Sequence, residues 1–140
     1  MIDIIAAYIR HLKGHTDANS IWTRTAGRLY AHQAPVKAVR PYVVFVPYPG
    51  PILRVFGGKD IEEPRIQIDV VNAYDNDSGP TWIIYNALIA ELEYADLALL
   101  SAVHVVTRRE SQTPRIDVAE NILTISDDWM TSYQTQVPKP

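Results

Sequence analysis

Arg40-Pro41-Tyr42-Val43-Val44-Phe45-Val46-Pro47-Tyr48 and Arg65-Ile66-Gln67-Ile68-Asp69-Val70-Val71 are the two runs on which the fold turns. Both are rich in β-branched and aromatic residues. Pro41 and Pro64 stand just before them, where proline stops an incoming helix and opens an extended run. In the first run Tyr42, Val44, Val46 and Tyr48 share one side and Val43 and Phe45 the other, so both faces are apolar. Such a strand is covered on both sides, or by helix on one and a partner chain on the other. Pro47 lacks a ladder donor and marks a bulge or the strand's end. In the second run Ile66, Ile68 and Val70 form a core face, whereas Arg65, Gln67 and Asp69 face water or a polar partner. Residues 49–64 join the two runs, a longer connection than a compact domain uses without purpose. It carries Ile52, Leu53, Val55 and Phe56, which favours a contact loop over a disordered linker.

Working outward, Ile2, Ile5, Ile9 and Leu12 recur at helical spacing, with Gly14 as the expected stop. A polar stretch follows, then a short strand within Gly27 to His32. Asp75-Asn76-Asp77-Ser78-Gly79-Pro80 reads as a turn that caps a helix over residues 80–94. At one hundred degrees per residue Ile84, Tyr85, Leu88 and Leu92 point toward the sheet. Asn86, Glu93 and Trp82 point away, with Ile89 on the flank, an outer side too apolar for an isolated monomer. Val103 to Arg108 and Ile122 to Ser126 read as two further strands around a polar 109–121 stretch. The order is α-β-β-β-α-β-β. It predicts an α+β fold, a mixed or antiparallel sheet of about five strands with helices packed on one face. Residues 1–132 are expected to form one domain and 133–140 a flexible C-terminal tail.

Composition narrows the function. The 140 residues contain no cysteine, which removes disulfides and thiolate chemistry. A net charge of −3 without a basic block argues against nucleic-acid binding as the main activity. No apolar run is long enough to cross a bilayer and Met-Ile-Asp-Ile lacks a positive n-region, so a soluble chain not exported by that route is expected.

Candidate chemistry is thin. Asp75 to Gly79 resembles the front of a calcium loop, but Gly79 comes one position early and Asn86 stands where the bidentate Glu belongs. Asp60, Glu62, Glu63 and Asp69 raise a metal-dependent nuclease, yet no lysine follows Asp69 along its strand. His11, His15, His32 and His104 make no ligand pattern, and neither a nucleophile elbow nor a phosphate loop occurs. No catalytic, cofactor-binding or metal residue is therefore assigned. What remains is a surface for association: Tyr42, Val44 and Tyr48 on the two-sided strand, Ile52, Leu53, Val55 and Phe56 in the loop, Trp82 and Ile89 on the helix, and Arg108 and Arg109 at the root of the polar stretch.

Gly27-Arg28-Leu29-Tyr30 with Ala34-Pro35, then Arg40 to Phe45, then Arg65 to Val70 followed by a helix carrying Leu88 and Leu92, resemble the tail-terminator and head-tail joining proteins of long-tailed bacteriophages. The likeness spans about residues 1–130. It implies a small α+β virion subunit that forms a ring, usually a hexamer, on the head-proximal end of the tail tube. Such a ring stops tube growth and presents a surface to the head connector. Its implied partners are its own copies, the tail-tube protein and the neck proteins, with DNA passing through the lumen and assembly taking place in the host cytoplasm. The family has no catalytic residues or cofactors to carry over. Pro47 to Pro51 and the long final hairpin depart from its pattern. The alternatives are a head-completion or baseplate adaptor of the same virion, a metal-dependent nuclease or hydrolase relying on Asp69, and a host binding module with an apolar cleft.

Overall fold

Ile5, Ile9 and Leu12 recur at helical spacing, and α1 (Ile4–Lys13) forms on them in the computed structural model, which describes residues 4–48, 52–54, 60–99 and 102–135. Tyr8 and Leu12 are fully buried on its inner side. The Gly14 N–H donates to the Arg10 carbonyl at 3.1 Å and ends the helix where the glycine predicts. The polar stretch then holds a one-turn helix, α2 (Ile21–Arg24), capped by Ser20, whose Oγ accepts from the Thr23 N–H at 3.2 Å. A helix this short has no period to read.

Seven strands follow: β1 (Leu29–Ala31), β2 (Tyr42–Tyr48), β3 (Ile52–Arg54), β4 (Asp60–Glu62), β5 (Arg65–Ala73), then, after α3 (Gly79–Leu92), β6 (Ala102–Asp117) and β7 (Ile122–Thr135). They pair in the order β1-β2-β5-β7-β4-β3, with β6 on β7. Among the described residues β1 and β2 alone run parallel, and the other pairs are antiparallel. The chain is α+β, with helices on one face of a mixed sheet.

Register corrects the reading of the long connection. Glu62 faces Tyr133 and Arg65 faces Met130, so β4 continues β5 in step along the same side of β7. Likewise β3 continues β2, with Tyr48 opposite Arg65 and Ile52 opposite Glu62, a spacing that holds one extra residue on the β2–β3 side. Within the connection expected as a contact loop, the described segments Ile52–Arg54 and Asp60–Glu62 are paired strands that lengthen the hairpin. Val55 and Phe56 lie outside the described residues, and for Ile52 and Leu53 the backbone alone is described.

The final hairpin is also longer than expected. The polar 109–121 stretch remains strand to Asp117, although every residue from Glu110 to Asn121 is exposed. Backbone pairing with β7 holds it, from Ser111↔Asp128 to Asp117↔Ile122. At the other end β7 runs past 132 to Thr135, and Tyr133 is fully buried, so the boundary expected at 132 falls inside a strand.

The core lies between the helices and one sheet face. Tyr8, Leu12, Ile84, Tyr85, Leu88 and Leu92 come from α1 and α3, and meet Val43, Phe45, Ile66, Ile68, Val70, Ile125 and Trp129 from the sheet. The inward sets expected for β5 and α3 occupy these places, and for β2, whose two faces both read as apolar, the fold turns Val43 and Phe45 inward.

Candidate assembly surface

Strand alternation builds the surface. Because Val43 and Phe45 turn inward, Tyr42, Val44, Val46 and Tyr48 must turn to the face without helices. Cross-strand partners extend that face: Tyr42 lies opposite Val71, Val44 opposite Asp69, Val46 opposite Gln67 and Tyr48 opposite Arg65. On β7 the same face continues through Thr124, Ser126, Asp128 and Met130. An apolar stripe on β2 therefore borders polar stripes on β5 and β7.

Toward one end this face becomes a groove of about 820 Å³. Val44, Val71 and Thr124 line its floor, His32 to Pro35 of the β1–β2 connection one wall, and Arg115 to Val118 at the turn of the β6–β7 hairpin the other. Ile116 and Val118 are 50% and 80% exposed and alternate with the charged Arg115 and Asp117, so the wall is open and of mixed character. Asp69 also lines the groove, and its Oδ1 accepts from the Gln67 Nε2 at 3.0 Å.

The opposite end is polar and braced. The Tyr48 hydroxyl donates to Asp128 Oδ1 at 2.8 Å, and Ser111 Oγ donates to Asp128 Oδ2 at 3.1 Å. Desolvation, reinforced by the Asp128 carboxylate, pushes the Tyr48 hydroxyl up to about 12. Arg65 pairs with Glu110, which also lies 3.7 Å from Arg108. The carboxylate raises the Arg65 guanidinium above its ordinary value.

Of the residues expected to associate, Tyr42, Val44 and Tyr48 share this face. Trp82 and Ile89 do not join them. They sit on α3 across the sheet, and both are half-buried against the core, Trp82 edge-on to Tyr85 with ring centroids 5.3 Å apart. The large apolar side chain that α3 exposes is Ile83, at 51%. Its signal in the sequence is the absence of any charged side chain from Gly79 to Ala90. Arg108 is exposed, whereas Arg109 turns inward. Its Nη1 donates to the Tyr85 hydroxyl at 2.8 Å and its Nε lies 3.3 Å from Glu93.

One constellation has the order of a nucleophile relay. His104 Nε2 lies 2.8 Å from Thr107 Oγ1 and its Nδ1 lies 3.5 Å from Asp96. Its exposure is inverted for catalysis, because Thr107 is fully buried while the Asp96 side chain is 99% exposed, so no substrate reaches the hydroxyl. Thr107 instead bonds Thr131 at 2.9 Å, and Thr131 bonds the Tyr8 hydroxyl, a buried chain that ties α1 to β6 and β7. Burial holds the His104 imidazole below its ordinary value. His11 Nε2 meets the Glu91 carbonyl at 2.8 Å, a helix-to-helix tie. Among the described residues no group of three His, Asp or Glu side chains is placed to hold a metal ion.

No protein-family model matches the chain, and no curated protein matches its sequence. Among solved structures, a chain in the virion of a native gene transfer agent particle has a similar fold, with a TM-score of 0.72 and 15% identity. The similarity covers 94% of this chain and 94% of that one. At this identity the likeness establishes the fold.

Proposed function

We propose that this chain is a structural protein of a phage-like virion whose copies form a ring at the head-proximal end of the tail. There the ring ends growth of the tail tube and offers the surface to which the head is joined. The observation that carries the reading is the fold likeness, over nearly the full length of both chains, to a chain of a gene transfer agent virion. The strings Gly27 to Tyr30, Arg40 to Phe45 and Arg65 to Val70, which resemble tail-terminator proteins, favour the tail end over other virion positions.

The mechanism is one of contact. A subunit that matches the growing end of the tube on one side, and offers no tube-like surface on the other, stops addition by occupying the last binding site. Association of that kind needs roughly 800 Å² of surface from each partner. The open sheet face, with its apolar stripe and groove, is the surface assigned to such contacts. Its partners are further copies of the chain, the tail-tube protein and the head connector.

Electron microscopy of the purified protein mixed with tail tubes tests this directly. Rings, caps at a single tube end and an arrest of tube lengthening are the expected result. Tubes that lengthen unchanged, with antibody to this chain labelling the baseplate end, would replace the reading with that of a baseplate adaptor.

A further inference from the structure

The charges of this chain are unevenly spread. Six of its thirteen Lys and Arg residues, but two of its sixteen Asp and Glu residues, fall within residues 1–48. The fold strings those six cations along one flank. Arg10 and Lys13 are exposed three residues apart on α1, and Lys13 Nζ stands 5.7 Å from the Trp22 ring of α2. From Arg24 at the end of α2 the chain passes through Gly27 to Arg28, just before β1, whose Nε donates to the Pro41 carbonyl beside Arg40 at 3.0 Å. Lys37 and Arg40 are exposed on the β1–β2 connection. None of the six has an ion pair among the described residues, whereas Arg65, Arg108 and Arg109 all do. The nearby carboxylates are engaged elsewhere. Asp17 Oδ1 accepts from the Asn19 N–H at 2.9 Å, while Glu91 Oε2 accepts from the Ile21 N–H at 2.6 Å and its Oε1 lies 3.8 Å from His15.

Unpaired negative charge collects at one end of the sheet. The Tyr74 N–H donates to the Asn121 carbonyl at 2.8 Å, which brings the β5–α3 turn against the turn of the β6–β7 hairpin. Asp75 and Asp77 come from the first turn, Asp117 and Glu120 from the second, and all four are exposed without an ion pair among the described residues. Asp77 Oδ1 accepts from the Gly79 N–H at 2.9 Å and Asp117 Oδ1 from the Glu120 N–H at 3.2 Å, bonds that shape the turns and neutralise no charge. Arg115 on the same hairpin meets the Ser126 hydroxyl at 3.2 Å, so the end carries four carboxylates against one guanidinium.

We propose that the basic flank of one copy docks on the carboxylate end of the next. The proposal rests on the ring reading above and names its subunit contact. A nucleic acid would also match the flank, but it would have to approach a molecule of net charge −3, whereas a second copy brings the matching carboxylates itself. Asp117 lines the groove as well, so the contact is continuous with the open sheet face. The strand order sets the symmetry. Arg28 adjoins β1 at one edge, and β2, β5 and β7 separate it from β6 and the hairpin turn, about 19 Å away at ordinary strand spacing. Each copy therefore offers cations on one side and carboxylates toward the other, and such a heterologous contact closes into a ring when its rotation returns to the start. Exposed pairs of this kind set partner choice and encounter rate, and salt screens them.

Charge reversal tests the pairing. Lys37→Glu with Arg40→Glu reverses the flank, and Asp75→Lys with Glu120→Lys reverses the end; none of these four side chains is bonded within the fold among the described residues. Full-length variants, checked for fold by circular dichroism, are sized by sedimentation velocity at low salt. Each double variant alone is expected to self-associate about tenfold more weakly than the wild type. A mixture of the two, and a variant carrying all four changes, are expected to recover association into species larger than a dimer, because a reversed flank then meets a reversed end. A mixture as weak as its components overturns the proposal, as does a wild type that stays monomeric at low salt with and without tail tubes. Recovery that stops at a dimer denotes a symmetric contact and overturns it too. Unchanged self-association of Lys37→Glu with Arg40→Glu, together with lost retention of duplex DNA on a filter, would assign the flank to nucleic acid instead. Rings or capped tubes from each double variant alone overturn this contact and leave the ring reading standing. A fourfold variant that associates but caps no tube supports the contact and removes the tail-end role.

Discussion

Asp127 is the residue whose environment is least like water. It is 1% exposed on the core side of β7, where the Tyr85 hydroxyl and the Trp129 indole face it and neither closes a well-formed hydrogen bond. Burial pushes its carboxyl up to about 6, against the partial opposition of Tyr85 and the Arg109 guanidinium. A folded-state value above the ordinary one means that the protonated acid is the form the fold prefers. Its contribution to stability is full below the unfolded value near 4 and is lost as pH rises through about 6. At neutral pH the buried charge then costs about 3 kcal/mol. Asp127→Asn is expected to raise the melting temperature at pH 7.5 and to flatten the dependence between pH 4 and 6, as read by circular dichroism. An unchanged pH profile would deny Asp127 this role. Thr131→Val probes the neighbouring hydroxyl chain. It strands the fully buried Tyr8 hydroxyl and is expected to cost roughly 1–3 kcal/mol in urea unfolding. Wild-type stability in that variant would mean that water replaces the lost partner.

Among the elements, the passage from α2 to β1 depends on a glycine. Gly27 has φ +75°, and a Cβ there would lie 2.9 Å from Trp22 Cζ2. Gly27→Ala therefore meets both a disfavoured backbone and the indole, and a loss of more than about 1 kcal/mol is expected in denaturant titration. A neutral result would show that the Trp22 ring swings aside freely. The same scale explains which elements were legible in the sequence. Alternation in β5 declared its inward set because one of its faces is apolar and the other polar, whereas β2, apolar on both faces, left open which set turns in. In α3 the inner stripe of Ile84, Leu88 and Leu92 was equally plain. The outer half of β6 was not, since Ser111, Thr113 and Arg115 have no core to face and are strand only through their ladder with β7. β3 and β4 escaped for a related reason: three-residue strands leave no pattern, and prolines on either side read as loop. Trp82 was set on the outer side by its angle on the wheel. In the fold it lies edge-on to Tyr85, half-buried against the core.

For the molecule as a whole, α1, α2, α3 and the sheet share a single core in which Tyr8, Ile21, Leu88, Phe45 and Trp129 all belong to one cluster. The expected consequence is one cooperative unfolding transition, with tryptophan fluorescence and far-ultraviolet circular dichroism tracing the same curve. Two separated transitions would divide the chain and remove the single-domain reading. A shared core also explains why docking is assigned to faces. The helices and the inner sheet surface are committed to stability, and the helix-free face, the surface proposed above for assembly, is left open.

By itself the sequence determined which side chains turn inward, that helices cover one face of the sheet, and that thiol chemistry plays no part. These are local matters, written in periodicity and composition because burial acts on each residue where it stands. Only the tertiary structure decided that β4 carries β5 onward along β7, that Arg109 serves Tyr85, and that Ile83 is the large apolar side chain exposed on α3. It alone brought His32, Val44, Val71, Arg115 and Thr124 around one groove. Backbone pairing across long separations sets those neighbours. Because a ladder hydrogen bond is indifferent to the side chain it passes, such pairing leaves almost no trace in the residues themselves.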